Sequence, residues 1–181
     1  MKNFETENLK IRKFKMEDVE DVHRNLATES QLAECLGYNI HKSIHETEAM
    51  VASLIKEYEM NELIWAIEEK AKSEVIGYIN ASERSDANKV CKFKFGIALK
   101  EVDSGYMEEA LKVVIDYILN KKDFNVIISE FYDGCDKLTQ IKCRMLESVG
   151  MTKEAVLRNR KINNKTGLSE NKIIYSIIKE H

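Results

Sequence analysis

The stretch that decides the fold reads VCKFKFGIAL (90–99), KEVDSG (100–105), YMEEALKVVIDYILN (106–120) and, after a short polar link, VIISEF (126–131). In the first segment Cys91, Phe93, Phe95, Ile97 and Leu99 alternate with Lys92, Lys94, Gly96 and Ala98, the period of two that lines one face of a strand. In the third, apolar residues at 107, 110, 111, 114, 117 and 118 recur at helical spacing. The last is a short run rich in β-branched residues, of the kind buried inside a sheet. Strand, helix and strand in that order imply a right-handed crossover, so the two strands lie parallel. Gly96 inside the first strand predicts a bulge, or the close approach of another backbone or a ligand.

Upstream, LKIRKF (9–14) alternates as a strand, and Met16, Val19, Val22, His23 and Leu26 place a helix over 16–27. In HKSIHETEAMVASLIKEYEM (41–60), Ser43 followed three residues later by Glu46 is a capping box; it sets the N-cap at Ser43 and carries a helix to position 59. His41 and His45 are four apart, as helical metal ligands are, but a helix beginning at Ser43 leaves His41 outside it. Both read as surface histidines around a helix start. IWAIEE (64–69) and VIGYINA (75–81) form a hairpin across a polar turn. Downstream, Leu138, Ile141, Met145, Leu146 and Val149 mark a fourth helix stopped at Gly150, and 152–160 with 172–179 make a terminal hairpin around NNKTG (163–167). The predicted order is β α α β β β α β α β β, a mixed sheet with four helices, α/β or α+β in class, in one domain spanning 1–181.

With 28 Lys plus Arg against 31 Asp plus Glu, the net charge of −3 argues against a dedicated nucleic-acid binder. No run approaches the roughly 20 apolar residues that cross a bilayer, and residues 1–10 hold no apolar signal core, so a cytoplasmic protein with no membrane partner is expected. Cys35, Cys91, Cys135 and Cys143 form no C-x-x-C pair and read as reduced thiols, with Cys91 and Cys143 in packing roles. Paired zinc ligands are missing, and no metal is expected. The chain has no proline, so its turns rely on Gly, Asn, Asp and Ser.

The segments ETENLKIRKFKMEDVEDVH (5–23), HKSIHETEAM (41–50), IWAIEEKAKSEVIGYI (64–79), SGYMEEALKVVIDYIL (104–119), RMLESVGM (144–151), EAVLRNRKINNKTG (154–167) and IIYSIIKE (173–180) lie in a telling order. Together they resemble the GNAT superfamily of acetyl-CoA-dependent N-acetyltransferases, in particular the branch that acetylates the N-termini of ribosomal proteins. The resemblance implies a mostly antiparallel sheet of about seven strands flanked by four helices. It implies acetyl-CoA as co-substrate, a primary amine (a protein N-terminus or a small amine) as acceptor, and direct attack of that amine on the thioester. The co-substrate arm would lie between Ile97, Ala98 and Leu99 and the strand at 126–131. Val102, Asp103, Ser104, Gly105, Tyr106 and Met107 would surround the diphosphate, where N–H groups at a helix start favour an anion and glycine lets the backbone come close.

Several positions depart from the family's pattern. Gly105 matches the last glycine of Arg/Gln-x-x-Gly-x-Gly/Ala, but Lys100 stands for Arg or Gln, Asp103 stands for the first glycine, and the loop is shorter. Asp103 either faces the diphosphate, where two unit charges 4 Å apart cost roughly 4 kcal/mol, or turns outward as a helix cap, a role that also suits Ser104. Thr139 and Lys142 stand where relatives place an Asn and a Ser beside the cofactor, and Leu146 where many carry a tyrosine acid. Thr139 keeps a donor. Lys142 is a phosphate partner or, the preferred reading for such a residue, a solvated charge on an exposed helix face. Lys100, Lys142 and Arg144 together would suit CoA phosphates.

Glu68 and Glu69 read either as a site for the amine proton or as solvated charges at a hairpin end. Tyr78, Tyr106, Tyr132 and Tyr175 are pocket or core phenols, Trp65 is core or, as the lesser reading, an acceptor-pocket wall, and RNRK (158–161) is a contact for an acidic acceptor or RNA or, the preferred reading, a solvated basic edge. No residue is assigned as the catalytic acid or base. Two further readings stay open: a GNAT-fold protein that has lost catalysis at Asp103, Thr139, Lys142 and Leu146 and serves as a CoA-binding or regulatory module, and a homodimer built on the apolar hairpins.

Overall fold

In β3 (Ile64–Glu69) every residue is buried, and that single strand explains the layering. Trp65 and Ile67 join one apolar cluster with Leu111 and Ile118, while Ile64 and Ala66 join a second with Val22 and Val51. A strand buried on both faces needs a layer on each side. The computed structural model describes residues 2–30, 32, 39–60, 63–163 and 166–180, with the backbone alone at 82–84 and 136. Cys35 and two residues of the NNKTG turn lie outside the described residues.

The chain runs β1 (Phe4–Glu5), β2 (Leu9–Arg12), a 3-10 turn (Met16–Asp18), α1 (Val19–Val22), a π turn (His23–Ala27), α2 (Ile44–Glu59), β3, β4 (Glu74–Ser85) and β5 (Val90–Ile97). A 3-10 turn (Leu99–Glu101), α3 (Tyr106–Asp116), a π turn (Tyr117–Lys121), β6 (Val126–Tyr132), α4 (Asp136–Ser148), β7 (Thr152–Ile162) and β8 (Ser169–Ile178) follow. The sheet order is β1-β2-β3-β4-β5-β6-β8-β7. β5 and β6 pair in parallel and the other neighbours are antiparallel. The mixed α/β class and the predicted order hold. One strand is added, β1, whose two residues are too few to show a period.

Three local expectations change. Leu99 leaves β5 for the 3-10 turn although its alternation continues. Ser43 is the N-cap of α2 but its side chain makes no capping bond; Glu46 Oε2 instead accepts the N–H of Lys42 at 3.1 Å. No bulge sits at Gly96; the register slips on β4 between Asn80 and Glu83. The close approach is real, because a Cβ on Gly77 would stand 2.7 Å from the Gly96 carbonyl oxygen. β7 closes one end of the sheet with Arg158 and Arg160 exposed, as a solvated basic edge requires. Among the described residues no helix is long and apolar enough to cross a membrane.

Candidate functional site

The parallel pair comes apart. β5 and β6 are paired at Val90↔Val126, Cys91↔Ile127 and Lys92↔Ile128, and the ladder stops there, although β5 runs on to Ile97 and β6 to Tyr132. On its other side β5 stays paired with β4 as far as Gly77↔Ile97, and Ala98 N–H donates to Ile76 C=O at 2.7 Å. Successive residues of a strand aim their backbone groups at opposite neighbours, so Ile97 turns its N–H and C=O toward the opening. A small cavity of about 50 Å³ sits there, lined by Gly96, Ile97, Val102, Leu138, Lys142 and Met145 among others.

At the end of that opening α3 begins. Gly105 takes φ +81°, the left-handed region, and a Cβ built on it meets nothing within 4 Å. The space in front of this helix start is open, and glycine alone occupies the conformation without strain. Ser104 Oγ accepts the Tyr106 N–H at 3.2 Å and donates to Glu101 C=O at 2.7 Å, so Ser104 holds the first amide of α3 from the position before Gly105, which is the N-cap. The first bond inside the helix is Glu109 N–H to Gly105 C=O, which leaves the Met107 and Glu108 amides without an intrahelical acceptor. The Asp103 side chain is 76% exposed and lies 3.9 Å from Arg144.

The fourth-helix residues divide. The ammonium of Lys142 stands 4.7 Å from the ring centroids of both Phe95 and Phe131, lodged between the diverging strands. The solvated-charge reading is therefore corrected. Its physical reason is that the opening presents two aromatic faces to a residue that looks surface-facing along the helix alone. Thr139 is half-buried in the first turn of α4, and Leu146 is fully buried in the main core. Lys100, Lys142 and Arg144 do not act as one cluster, since Lys100 pairs with Glu74 at 3.0 Å and Arg144 meets Asp103.

The two carboxylates of β3 are also corrected. Glu68 and Glu69 are buried, not solvated. Arg12 donates to Glu68 at 2.5 Å and bidentately to Asp18 at 2.8 Å, and Lys10 reaches Glu68 at 3.2 Å. Burial alone pushes Glu68 up, but Arg12 and Lys10 together hold its carboxyl below the usual range. Glu69 is held by Lys72 at 2.8 Å and by the Tyr106 hydroxyl at 3.4 Å. Both are committed to structural partners. Trp65 is core, with its N–H on the Lys2 carbonyl, and Tyr175 is fully buried and donates to Glu147 at 2.8 Å. Cys91 is buried with its thiol on Ala81 C=O, and Cys143 packs against the main core. Among the described residues no group of three or more His, Cys, Asp or Glu gathers as a metal site.

On the opposite face of the sheet lies a larger cavity, about 210 Å³. Phe14, Leu26 and Leu54 wall it, and His41, Tyr78 and Asn80 bring polar groups to it. Tyr78 is the ladder partner of Gly96, so one strand pair separates this cavity from the opening. Burial pushes the Tyr78 phenol up to about 12. His41 is tied to the end of the first helical segment by its N–H on Ala27 C=O at 2.9 Å. Its Nδ1 is 2.8 Å from Thr47 Oγ1, and His23 Nδ1 is 2.7 Å from the same oxygen. Thr47 is completely buried. The surface reading holds for His45, which is exposed beside Glu48, and fails for His41. Sequence spacing could place each of these three residues near a helix end but could not bring them to one oxygen.

The family model described as the acetyltransferase (GNAT) domain matches residues 8–152. No curated protein sequence matches the chain. Among solved structures, an acetyltransferase of the GNAT family from Bacillus anthracis superposes with TM-score 0.81 at 18% identity, covering 99% of this chain and 100% of that one. The ribosomal-protein-S5-alanine acetyltransferase of Vibrio fischeri gives 0.82 at 17% identity, covering 99% and 98%. The spermidine N-acetyltransferase of Vibrio cholerae, solved with CoA and spermine, gives 0.77 at 16% identity, covering 96% and 97%. A match over most of the chain, on a sheet whose one parallel pair splays beside a glycine-led helix start, places this protein in the GNAT acetyltransferase family.

Proposed function

We propose that this protein transfers an acetyl group from acetyl-CoA to a primary amine. The observation that carries the reading is the opening between β5 and β6 leading to the bare helix start at Gly105. The residues fit the co-substrate. Ile97 offers one N–H and one C=O along the opening, the size of one amide of an extended arm, and Val102 lines it. The Met107 and Glu108 amides, which have no acceptor inside the helix, suit a diphosphate, and the exposed Asp103 carboxylate has Arg144 3.9 Å away to offset part of its charge. Lys142 borders the same space from α4, as a cation beside any charge that develops on a departing sulfur, and half-buried Thr139 precedes it on the same helix.

The acceptor enters from the cavity beside Tyr78, across the β4–β5 pair. The amine nitrogen attacks the thioester carbon, the carbon–sulfur bond breaks with its electron pair leaving on sulfur, and the excess proton on nitrogen ends on that thiolate to give the amide and free CoA thiol. Proximity and the polarising strand N–H supply most of the acceleration. Isothermal calorimetry tests the reading: acetyl-CoA binds at micromolar to millimolar concentration, and Gly105→Trp abolishes binding. No heat at millimolar ligand sinks it.

A further inference from the structure

An amine acceptor is protonated near neutral pH and must lose a proton before it attacks. Among the described residues lining the acceptor cavity, His41 is the one side chain of a type suited to general-base work. Its surroundings fix what its ring can do. The Thr47 hydroxyl has one proton to donate and lone pairs to accept with, yet two imidazole Nδ1 atoms lie within hydrogen-bonding distance of it, at 2.7 and 2.8 Å. At most one of these nitrogens accepts the hydroxyl proton, so the other must donate its own N–H. Two arrangements keep the hydroxyl proton within the trio. In one, His41 donates to Thr47 and Thr47 donates to His23. In the other, His23 donates to Thr47 and Thr47 donates to His41.

These two arrangements are the start and the end of one proton movement. From the first, a proton taken by His41 Nε2 is balanced by the Nδ1 proton of His41 passing to Thr47 Oγ1, while the Thr47 proton passes to His23 Nδ1. The second arrangement results, with the positive charge moved from the cavity to half-buried His23. We infer that His41 is the base that takes the acceptor's proton and that Thr47 and His23 are positioning residues that relay the charge outward. The inference rests on the acetyl-transfer reading. Other titratable groups on the surrounding elements have partners of their own or keep their protons. Tyr78 lines the same cavity as a neutral phenol, Glu46 binds the Lys42 N–H, Glu48 pairs with His45, and Asp21 binds Val75 N–H and Arg24.

Two measurements test this. Imidazole nitrogen NMR on the full chain above the histidine range, at about pH 8, should show neutral His41 as the Nδ1–H tautomer, and Thr47→Val should abolish that preference. An Nε2–H tautomer in the unaltered protein overturns the inference whether or not any amine reacts. In thiol-release assays with acetyl-CoA and n-butylamine, benzylamine, spermidine or an alanyl peptide, His41→Gln should lower kcat/KM by about 100-fold. That deficit should shrink as pH approaches the amine's own pKa, about 8 for the alanyl peptide and about 10 for an alkylamine. Thr47→Val should lose activity with acetyl-CoA affinity unchanged, and Thr47→Ser should restore it. A deficit constant with pH, or a His41→Gln variant within about threefold of the parent, refutes the relay. Absent calorimetric binding of acetyl-CoA refutes the acetyl-transfer reading instead.

Discussion

Removing Arg12 should expose how strongly the first strand is locked to the sheet. Its guanidinium, with a side chain 11% exposed, bridges Asp18 and Glu68, whose side chains are 6% and 8% exposed. Burial pushes the Arg12 pKa down, but the hydrogen bonds it donates to Asp18 and Glu68, with their negative charge, outweigh it and raise the group above its ordinary value. Arg12→Met keeps the stem and leaves two buried carboxylates, one with only Lys10 and the other with the Lys15 N–H as remaining partners. Breaking a buried pair from one side costs about 3–5 kcal/mol. At the size of this chain each kcal/mol lowers Tm by about 2–4 °C, so a fall of roughly 6–20 °C is expected.

The pH dependence carries the sign. In the parent protein Glu68 is held below its ordinary 4.5, so it contributes stability above that pH, lost as pH falls through the folded value. In Arg12→Met the stranded carboxylates take up protons more readily, so the variant's deficit should narrow between about pH 8 and about pH 5. Urea titration across that range measures it. A loss under about 1 kcal/mol at neutral pH, or a deficit that widens in acid, refutes the assignment of this cluster as a buried, mutually dependent network. Arg12→Met combined with Asp18→Asn and Glu68→Gln should recover part of the loss.

Gly105→Val forces a β-branched residue into φ +81°, at a cost of about 1–2 kcal/mol, without any clash in the fold. A modest drop in Tm together with at least about tenfold weaker acetyl-CoA binding by calorimetry is expected, and unchanged affinity would show that no ligand approaches that helix start. Lys142→Ala removes an ammonium from two ring faces, worth about 1–2 kcal/mol where desolvated, so thermal unfolding should begin a few degrees earlier. If melting is unaffected, Lys142 is not seated between Phe95 and Phe131 in solution.

Much of the fold is legible along the chain because its signals are local. The alternation from Cys91 to Ile97, the helical spacing from Met107 to Ile118 and the buried run at Val126 suffice for a parallel crossover, whose handedness is fixed by chirality. β1 escapes because two residues carry no period. The capping box at Ser43 and Glu46 locates the helix start but not the bond, since Glu46 reaches Lys42. Within the candidate site, Gly105 and Ser104 are readable because a left-handed turn and a helix cap each select a residue type.

Period and turn chemistry therefore account for the order of elements, the parallel pair and the glycine-led start of α3. Packing at long range accounts for how side chains distant along the chain come to share one environment. Lys142 moves from solvent to two ring faces because β5 and β6 diverge. Glu68 is buried because Arg12, 56 residues away, arrives beside it. His23 and His41 come to a single hydroxyl because the end of one helix and the start of another close over the same face of the sheet. Each outcome depends on packing at long range, where no spacing along the chain encodes the distance.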